Sequence, residues 1–461
     1  MSKEALHSLF LSHPVITTDS RDCPAGSIFF ALKGDTFDGN AYAAAALEKG
    51  CAYAVIDEPQ YAVAGDERYI LVADVLQALQ DLAREHRRSL GTTIVGITGT
   101  NGKTTTKELI AAVLQKKYNI LYTQGNFNNH IGVPKTLLRL TPEHELAVIE
   151  MGANHPGEIR TLVNIVEPDY GLITNVGKAH LEGFGSFEGV KNTKGELYDY
   201  LLAHDGKIFI DADNPHLMEM LTIRTEATKL NANSKFKIQN SKFPKQNAQS
   251  LKLKYLKGSL LSCSPFLRFR WDGGEVQTRL IGAYNLTNMM AAATVGRHFG
   301  VSDELINEAL SEYQPSNNRS QLTVTDRNHL IVDTYNANPT SMMAALENFS
   351  ILASSLPEGS KVMAILGDMR ELGDVSLAEH QKVVDFLTST ISNSKFKIQN
   401  SRFSSVWLVG EEFGKTDNPF RTFHDVEAVK ETLAAEGVPE GYYILIKGSN
   451  SMRLFELPQL L

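Results

Sequence analysis

The chain has 461 residues, of which 43% are hydrophobic and 21% are charged, and its formal net charge is −8. This length corresponds to about three domains, the composition is that of a globular protein with buried cores, and the negative charge argues against a nucleic-acid partner. The cysteines form no CxxC pair, no run of about 18 apolar residues occurs and the first residues do not resemble a secretory signal, so we expect a cytoplasmic protein without a disulfide framework, zinc site or membrane span.

The first section of the chain contains short apolar runs separated by polar segments. Residues 27–32, 52–56 and 69–72 are predicted strands, and an alanine-rich stretch near 41–48 is a predicted helix. We therefore expect a small α/β domain over residues 1–90.

A glycine-rich segment at residues 96–106, GITGTNGKTTT, follows a predicted strand and leads into a helical pattern. In this context backbone N–H groups and the helix N-terminus face phosphates, Lys103 reaches the terminal phosphates and Thr104 coordinates Mg²⁺. Two residues separate Gly99 from Gly102, whereas a standard P-loop has about four at this point. A tight turn with an incidental lysine is the alternative, but the position between strand and helix favours binding of a nucleoside triphosphate.

The section around this loop alternates strands and helices over residues 91–314. Apolar runs that begin at residues 146, 171 and 207 fit buried parallel strands, and helices are predicted over 285–299 and 303–313. Glu150 follows the first of these runs, at the sheet edge where open α/β folds bind ligands. Alone it would be a solvated loop residue, but beside a P-loop its carboxylate suits the Mg²⁺ that accompanies ATP.

The third section, residues 315–461, alternates again after a Pro-Ser-Asn-Asn linker. Strands are predicted from residues 330, 361, 406 and 443, with helices between them. The predicted fold class is α/β with three domains: a small N-terminal α/β domain, a central P-loop ATPase-type domain with a mostly parallel sheet, and a C-terminal Rossmann-like domain.

An eleven-residue segment occurs twice, at 233–243 and 393–403, and the copies differ only by lysine against arginine. Two copies do not make a solenoid. A duplicated basic and aromatic binding element is one interpretation. We favour inserted surface loops, because each copy lies between a predicted helix and the next predicted strand, where added residues cost little.

The sequence pattern alone leaves open the roles of two more residues, a histidine in a segment after a predicted strand and a lysine at the start of a helical pattern. His180 lies among small residues, where a structural histidine is the usual reading, and Lys194 begins a helical pattern, where a surface lysine is usual. Composition alone does not assign a functional role to either residue.

Four motifs resemble the Mur ligases, the ATP-dependent amide-bond-forming enzymes of peptidoglycan precursor synthesis: GTNGKTTT at 99–106, EMG at 150–152, NVGKAHLE at 175–182 and GAYNLTN at 282–288. Two others, DTYNANPTSM at 333–342 and LGDMRELG at 366–373, resemble the family member that joins D-alanyl-D-alanine to the UDP-N-acetylmuramoyl tripeptide. The Asp-Asn-Pro-Arg motif of the diaminopimelate-adding member is absent from the sequence. The resemblance covers the whole chain except the two repeats, and Asn450 stands where many relatives have arginine.

The resemblance implies roles for individual residues. Lys103 would hold the β- and γ-phosphates, Thr104 the first Mg²⁺, and Glu150 and His180 a second Mg²⁺, while Lys194 would be carbamylated by CO₂ and become a metal ligand. The implied ATP-binding residues are Gly99, Thr100, Asn101, Gly102, Lys103, Thr104, Thr105, Asn285, Asn288, Arg319 and Asp333. The implied substrate-binding residues are Ser20, Arg21, Asn126, Asn128, Asn129, Asn336, Asn338 and Ser341.

The implied reaction forms an acyl phosphate on the tripeptide, which the amine of D-alanyl-D-alanine then attacks. We expect a cytoplasmic monomer, without nucleic acid or a membrane span, whose acceptor carries lysine or diaminopimelate as its third residue. A folate-type polyglutamate ligase shares the ATP machinery but usually lacks about 90 residues before the P-loop domain. A non-catalytic nucleotide switch would need neither Glu150 nor His180.

Overall fold

The computed structural model describes residues 1–230, 252–315, 321–392 and 403–461. Its α/β class is the one predicted, with three separate, largely parallel sheets that follow one another along the chain. Among the helices of these four ranges, none has the length and apolar character required to cross a bilayer. Both repeats lie outside the described residues, apart from Phe403.

The N-terminal sheet has four short parallel strands and is packed against helices. In sheet order the strands are Ile16–Thr17, Ile28–Phe30, Tyr53–Ile56 and Tyr69–Leu71, and a small hairpin joins Lys33–Gly34 to Phe37–Asp38. The helices are Lys3–Ser12, Ala43–Glu48 and Val75–Leu90, with 3₁₀ turns at Gly39–Tyr42 and Pro59–Tyr61.

The helix Val75–Leu90 joins the first section to the second. It begins where the Asp74 carboxylate accepts the Gln77 N–H at 2.7 Å and ends at Gly91 in a left-handed conformation with φ of 62°. Its apolar face packs on two helices of the central section, Gly132–Leu137 and Glu158–Val166. One continuous apolar core therefore runs from the N-terminal sheet into the central sheet.

The central sheet has six parallel strands, and the strand before the glycine loop lies inside it. In sheet order they are Lys252–Lys254, Lys207–Ile210, Tyr170–Ile173, Thr93–Thr98, Leu146–Glu150 and Ile120–Tyr122. All six residues of Thr93–Thr98 are buried, as expected of a strand covered on both faces. The glycine loop and Glu150 thus follow neighbouring strands at the same carboxyl edge.

Helices cover both faces of this sheet, and a small antiparallel sheet adjoins it. The remaining helices are Lys103–Gln115, Leu181–Phe184, Phe187–Ala203, Pro215–Leu230, Asn285–His298 and Asp303–Glu312. The antiparallel strands are Gly258–Cys263, Phe266–Trp271 and Gly274–Ile281, in that order.

The C-terminal sheet has one antiparallel edge strand and five parallel strands. In sheet order they are Gln321–Val324, His329–Asp333, Tyr442–Lys447, Lys361–Gly367, Phe403–Val409 and Arg421–Phe423. The helices are Pro339–Ser355, Ser376–Ser392, Glu411–Gly414 and Val426–Glu436, with 3₁₀ turns at Gly373–Val375, Asn450–Met452 and Leu454–Glu456. The carboxyl ends of two neighbouring strands, at Asp333 and Lys447, face the central section across a cleft.

Candidate active site

A cleft of about 1080 Å³ lies between the carboxyl edge of the central sheet and the C-terminal domain. All three sections of the chain contribute to its walls. The sequence-predicted residues that line it are Thr100, Asn101, Gly102, Lys103, Thr104, Thr105, Asn126, Asn128, Asn129, Glu150, His180, Asn285, Asn288, Asp333, Asn336 and Ser341.

The glycine loop has the shape that its sequence predicts. Gly102, with φ of 76°, precedes the helix Lys103–Gln115, and a Cβ at this position would lie 2.9 Å from the Asn288 side-chain oxygen. Gly99, with φ of 146°, is close to its neighbour, because a Cβ there would lie 2.0 Å from Thr174 Oγ1. Only glycine fits both positions, and the loop places a helix N-terminus, which favours anions, at the cleft.

Lys103 folds back over its own loop. Its Nζ donates to the carbonyls of Gly99 at 2.8 Å and Thr100 at 3.0 Å. The ammonium is therefore held at the mouth of the loop, where it can exchange carbonyl oxygens for phosphate oxygens.

Glu150 is the buried carboxylate of the cleft, with 1% of its surface exposed. Its Oε1 accepts hydrogen bonds from Thr104 Oγ1 at 3.2 Å and Asn128 Nδ2 at 2.8 Å, while Oε2 has no hydrogen bond and lies 4.0 Å from Lys107 Nζ. A buried carboxylate oxygen without a hydrogen bond is unfavourable, and a hard cation would compensate it. The oxygens of Thr104 and Glu150 therefore fit Mg²⁺.

His180 meets the C-terminal domain. Its backbone is left-handed, with φ of 50°, and its Nδ1 is hydrogen-bonded to the carboxylate of Glu371. Burial lowers the pKa of His180, and the Glu371 carboxylate opposes this shift. The imidazole is thus held by one ring nitrogen, which leaves the other as a potential ligand atom.

Lys194 lies inside the helix Phe187–Ala203 with 2% of its surface exposed, so it is not the surface lysine that its sequence context suggests. Its Nζ donates to the Ala153 carbonyl at 3.0 Å and lies 5.1 Å from the centre of the Phe184 ring. Burial holds the pKa of Lys194 well below its ordinary value, and the charge of Lys103 lowers it further. Burial thus favours the neutral amine, which is the form that reacts with CO₂.

No group of three or more histidine, cysteine, aspartate or glutamate side chains that could hold a metal ion occurs within residues 1–230, 252–315, 321–392 and 403–461.

Asn285 and Asn288 link the nucleotide loop to the helix Asn285–His298. Asn288 accepts from Thr106 Oγ1 at 3.0 Å and donates to Asn285 Oδ1 at 2.8 Å, and Asn285 donates to the Ile281 carbonyl at 2.8 Å. This buried relay fixes the helix that carries the glycine loop against its neighbour.

The C-terminal domain contacts the glycine loop through a pair of side-chain amides. Asn338 Nδ2 donates to Asn101 Oδ1 at 2.7 Å, and Asn101 Nδ2 lies 3.3 Å from Asn338 Oδ1. Asn338 also caps the helix Pro339–Ser355, since its Oδ1 accepts the Ser341 N–H at 3.0 Å and its own N–H donates to Ser341 Oγ at 3.1 Å. The same side chain thus starts a helix and joins two domains.

Several residues that line the cleft were not predicted as site residues from the sequence. Lys447 is 1% exposed, its Nζ is paired with Asp333 at 2.5 Å and it donates to the Asn336 carbonyl at 3.3 Å. Its position at the end of the apolar run from residue 443 was the available signal, the same one that identified Glu150. Further lining residues that were missed include Asp211, Asn214 and Tyr284.

Five predicted residues do not line the cleft: Ser20, Arg21, Gly99, Lys194 and Asn338. Lys194 and Asn338 each donate a hydrogen bond to a residue that does, Ala153 and Asn101, and one further predicted residue lies outside the described residues. Arg21 is exposed and forms an ion pair with Asp19 at 2.8 Å, while the Ser20 carbonyl accepts from Lys49 Nζ at 2.7 Å. Neither Ser20 nor Arg21 lines the cleft, so their contact with a UDP-sugar stays a prediction. Arg319 lies in 316–320, outside the described residues.

Comparison with known proteins gives matches along nearly the whole chain. Three family models match: "Mur ligase family, catalytic domain" over residues 14–87, "Mur ligase middle domain" over 97–296 and "Mur ligase, glutamate ligase domain" over 318–450. The chain is 33% identical to the UDP-N-acetylmuramoyl-tripeptide–D-alanyl-D-alanine ligase of Bacillus subtilis over 445 residues, which cover 96% of this chain and 92% of the relative.

Solved structures agree with these matches. A crystal structure of MurF from Acinetobacter baumannii is similar with a TM-score of 0.75 and 29% identity, covering 96% of this chain and 92% of that one. The MurF ligase of Thermotoga maritima in complex with ADP has a TM-score of 0.77 and 24% identity, covering 98% and 97% of the two chains, and shows the same fold.

Proposed function

The chain belongs to the Mur ligase family and is an ATP-dependent ligase of peptidoglycan precursor synthesis, and we propose that its cleft joins D-alanyl-D-alanine to a UDP-N-acetylmuramoyl-tripeptide. One observation supports placing this reaction in the cleft. The glycine loop, the buried Glu150 and the C-terminal Asp333 and Asn336 all line the same cavity. Nucleotide, acceptor and amine substrates can therefore meet in one place.

The reaction must activate a carboxylate, which is a poor electrophile in water. A carboxylate oxygen of the tripeptide forms a bond to the γ-phosphorus of ATP while the bond from that phosphorus to the β–γ bridging oxygen breaks, giving an acyl phosphate and ADP. The amine of D-alanyl-D-alanine then attacks the acyl carbon, loses a proton, and inorganic phosphate leaves from the tetrahedral intermediate. The protein contributes positioning, charge stabilisation and exclusion of water.

We assign the residues of the nucleotide side the following roles. Lys103 would exchange its hydrogen bonds to the Gly99 and Thr100 carbonyls for contacts with the β- and γ-phosphates. Asn285 and Asn288 would contact the adenine region of the nucleotide. Arg319 and Asp333 would approach the nucleotide from the C-terminal domain. Mg²⁺, when bound, would neutralise phosphate charge. Thr104 would hold the first ion and the neighbouring Glu150 would hold the second, because their oxygens are the hard ligands that Mg²⁺ prefers.

Lys194 would serve the second Mg²⁺ together with His180 and Glu150 as a carbamate. An ammonium would repel a metal, whereas a carbamate offers oxygens. The burial of Lys194 and the downward shift of its pKa support this proposal, because CO₂ reacts with the neutral amine.

The remaining surfaces would hold the two other substrates. Ser20 and Arg21 would bind the UDP-sugar peptide together with Asn126, Asn128 and Asn129. On the side of the C-terminal domain, the substrates would be bound by Asn336, Asn338 and Ser341. We further propose the domain boundaries 1–90, 91–314 and 315–461 for UDP-sugar binding, ATP binding and ligation, and a monomeric protein of the cytoplasm.

The direct test is phosphate release with each UDP-N-acetylmuramoyl-tripeptide, carrying lysine or diaminopimelate, in the presence and absence of D-alanyl-D-alanine. We expect release that requires both substrates and a product of the summed mass less water. Release that is independent of D-alanyl-D-alanine, or obtained with a folate and glutamate instead, would contradict the proposal. The two tripeptides also decide the third residue of the acceptor.

A further inference from the structure

A loop of the C-terminal domain, residues 368–375, lies directly on the segment that carries His180. The Glu371 carboxylate is hydrogen-bonded to His180 Nδ1, and the Glu182 N–H donates to the Glu371 carbonyl at 3.4 Å. A Cβ at Gly373 would lie 3.6 Å from Glu182 Cβ, an ordinary packing distance. The two loops thus meet through side chain and main chain at once.

Both partners of the carboxylate–imidazole contact have a left-handed backbone, with φ of 50° at His180 and 64° at Glu371. This conformation is unfavourable for a residue other than glycine and persists only where the surroundings impose it. The C-terminal domain holds its own loop rigidly. The Met369 N–H donates to His380 Nε2 and the Arg370 N–H to Ser449 Oγ, each at 3.0 Å.

A carboxylate on one ring nitrogen fixes the orientation of a histidine and makes the other nitrogen a better metal ligand. We propose that Glu371 is a positioning residue that orients His180 toward the metal, so that a side chain of the C-terminal domain supports a metal ligand of the central domain. This inference rests on the proposed role of His180 as a metal ligand.

A purely structural ion pair is the alternative, and exposure argues against it. The side chains of Glu371 and His180 are 53% and 24% exposed, and exposed ion pairs contribute little to stability. Loss of Glu371 is therefore expected to change metal binding more than folding. Glu379 provides a matched control, because it forms a second cross-domain ion pair, with Lys178 at 2.9 Å, without touching His180.

The experiment compares Glu371→Ala, Glu371→Gln and Glu379→Gln in the full chain. Mn²⁺ binding is measured by electron paramagnetic resonance with a non-hydrolysable ATP analogue and the UDP-N-acetylmuramoyl-tripeptide present, and the Mg²⁺ activation constant is measured by phosphate release. For Glu371→Ala we expect about tenfold weaker binding of the second Mn²⁺ and a matching rise in the Mg²⁺ activation constant, at an unchanged melting temperature. Glu371→Gln keeps an acceptor oxygen and should fall between Glu371→Ala and the wild type, while Glu379→Gln should bind Mn²⁺ as the wild type does.

His180→Ala separates the two ways of failing. If His180→Ala weakens Mn²⁺ binding but Glu371→Ala does not, the positioning role is wrong and the proposed function stands. If neither variant changes Mn²⁺ binding, His180 is not a ligand and that part of the proposed function fails as well. An equal loss in Glu371→Ala and Glu379→Gln would overturn the positioning role in favour of a general effect on domain contact.

Discussion

The ammonium of Lys103 donates to two carbonyls of its own loop, and this arrangement determines what its removal does. Lys103→Ala removes a phosphate-directed cation together with its hydrogen bonds to the loop, so we expect a fall in kcat of about a hundredfold or more with a much smaller effect on melting temperature. Phosphate release and thermal unfolding measure the two effects. The control is Lys116→Ala, which removes a surface lysine paired with Glu308 and Glu312; near wild-type release by Lys103→Ala would refute the phosphate-binding role.

At Lys194 the expected chemistry is that of a carbamate. Lys194→Ala should be nearly inactive and partly restored by a short carboxylic acid that occupies the vacated space. Lys194→Arg should stay inactive although it keeps the positive charge, because a guanidinium neither reacts with CO₂ in this way nor offers a metal-binding oxygen.

The carbamate also has a spectroscopic signature. Wild-type protein in ¹³C-labelled bicarbonate should show a carbamate resonance that is missing from Lys194→Ala. Activity of Lys194→Arg comparable to that of the wild type, together with no such resonance, would leave Lys194 with a purely electrostatic or packing role.

Among the elements, the helix Pro339–Ser355 depends on one side chain for its start and for its contact with the nucleotide loop. Asn338→Asp keeps the oxygen that caps the helix but loses the amide that donates to Asn101, whereas Asn338→Ala loses both. We expect Asn338→Ala to lower stability by about 1 kcal/mol and Asn338→Asp to leave it nearly unchanged, while both lower kcat. Chemical denaturation and phosphate release distinguish them; equal stability of the two variants would show that the cap contributes nothing.

That the repeated segments are inserted surface loops stays a prediction. Deletion of residues 233–243, between the helix Pro215–Leu230 and the strand Lys252–Lys254, should leave phosphate release close to wild type. Its effect on stability should stay below about 1 kcal/mol, since even doubling a loop costs only about 0.6 kcal/mol in closure. A folded deletion variant without ligase activity would instead favour a binding role.

The sequence predicted the structure best where a single element or its immediate neighbours determine the local fold. Strand, loop and helix around Lys103 are local, and the parallel strands that begin near residues 330, 361 and 443 were recognised from their apolar runs. The hairpin of Phe266–Trp271 and Gly274–Ile281 was missed, although Asp272 and a following glycine between alternating strands are a turn signal. The pairing of Asn101 with Asn338 could not be predicted, because it joins residues 237 positions apart through the packing of two domains.

For the whole molecule, the continuous core under the helix Val75–Leu90 predicts that the N-terminal and central sections unfold together. Leu82 is 1% exposed in this core, and Leu82→Ala should cost about 2–5 kcal/mol. Hydrogen exchange should then show equal loss of protection in the strands Ile28–Phe30 and Thr93–Thr98. Leu433→Ala, in a core confined to the C-terminal domain, should leave both strands protected; separate unfolding of the two strands in Leu82→Ala would contradict a shared core.

The contacts between the central and C-terminal domains differ in how dissolved salt affects them. At the rim, Lys178 and Glu379 form a charged pair in which the lysine side chain is 49% exposed, and mobile ions screen such a pair because the Debye length is about 8 Å at physiological ionic strength. Further inside, Asn101 and Asn338 are neutral amides that ions do not screen. Rising ionic strength should therefore weaken the Lys178–Glu379 contact at the rim while leaving the amide contact beside the glycine loop in place.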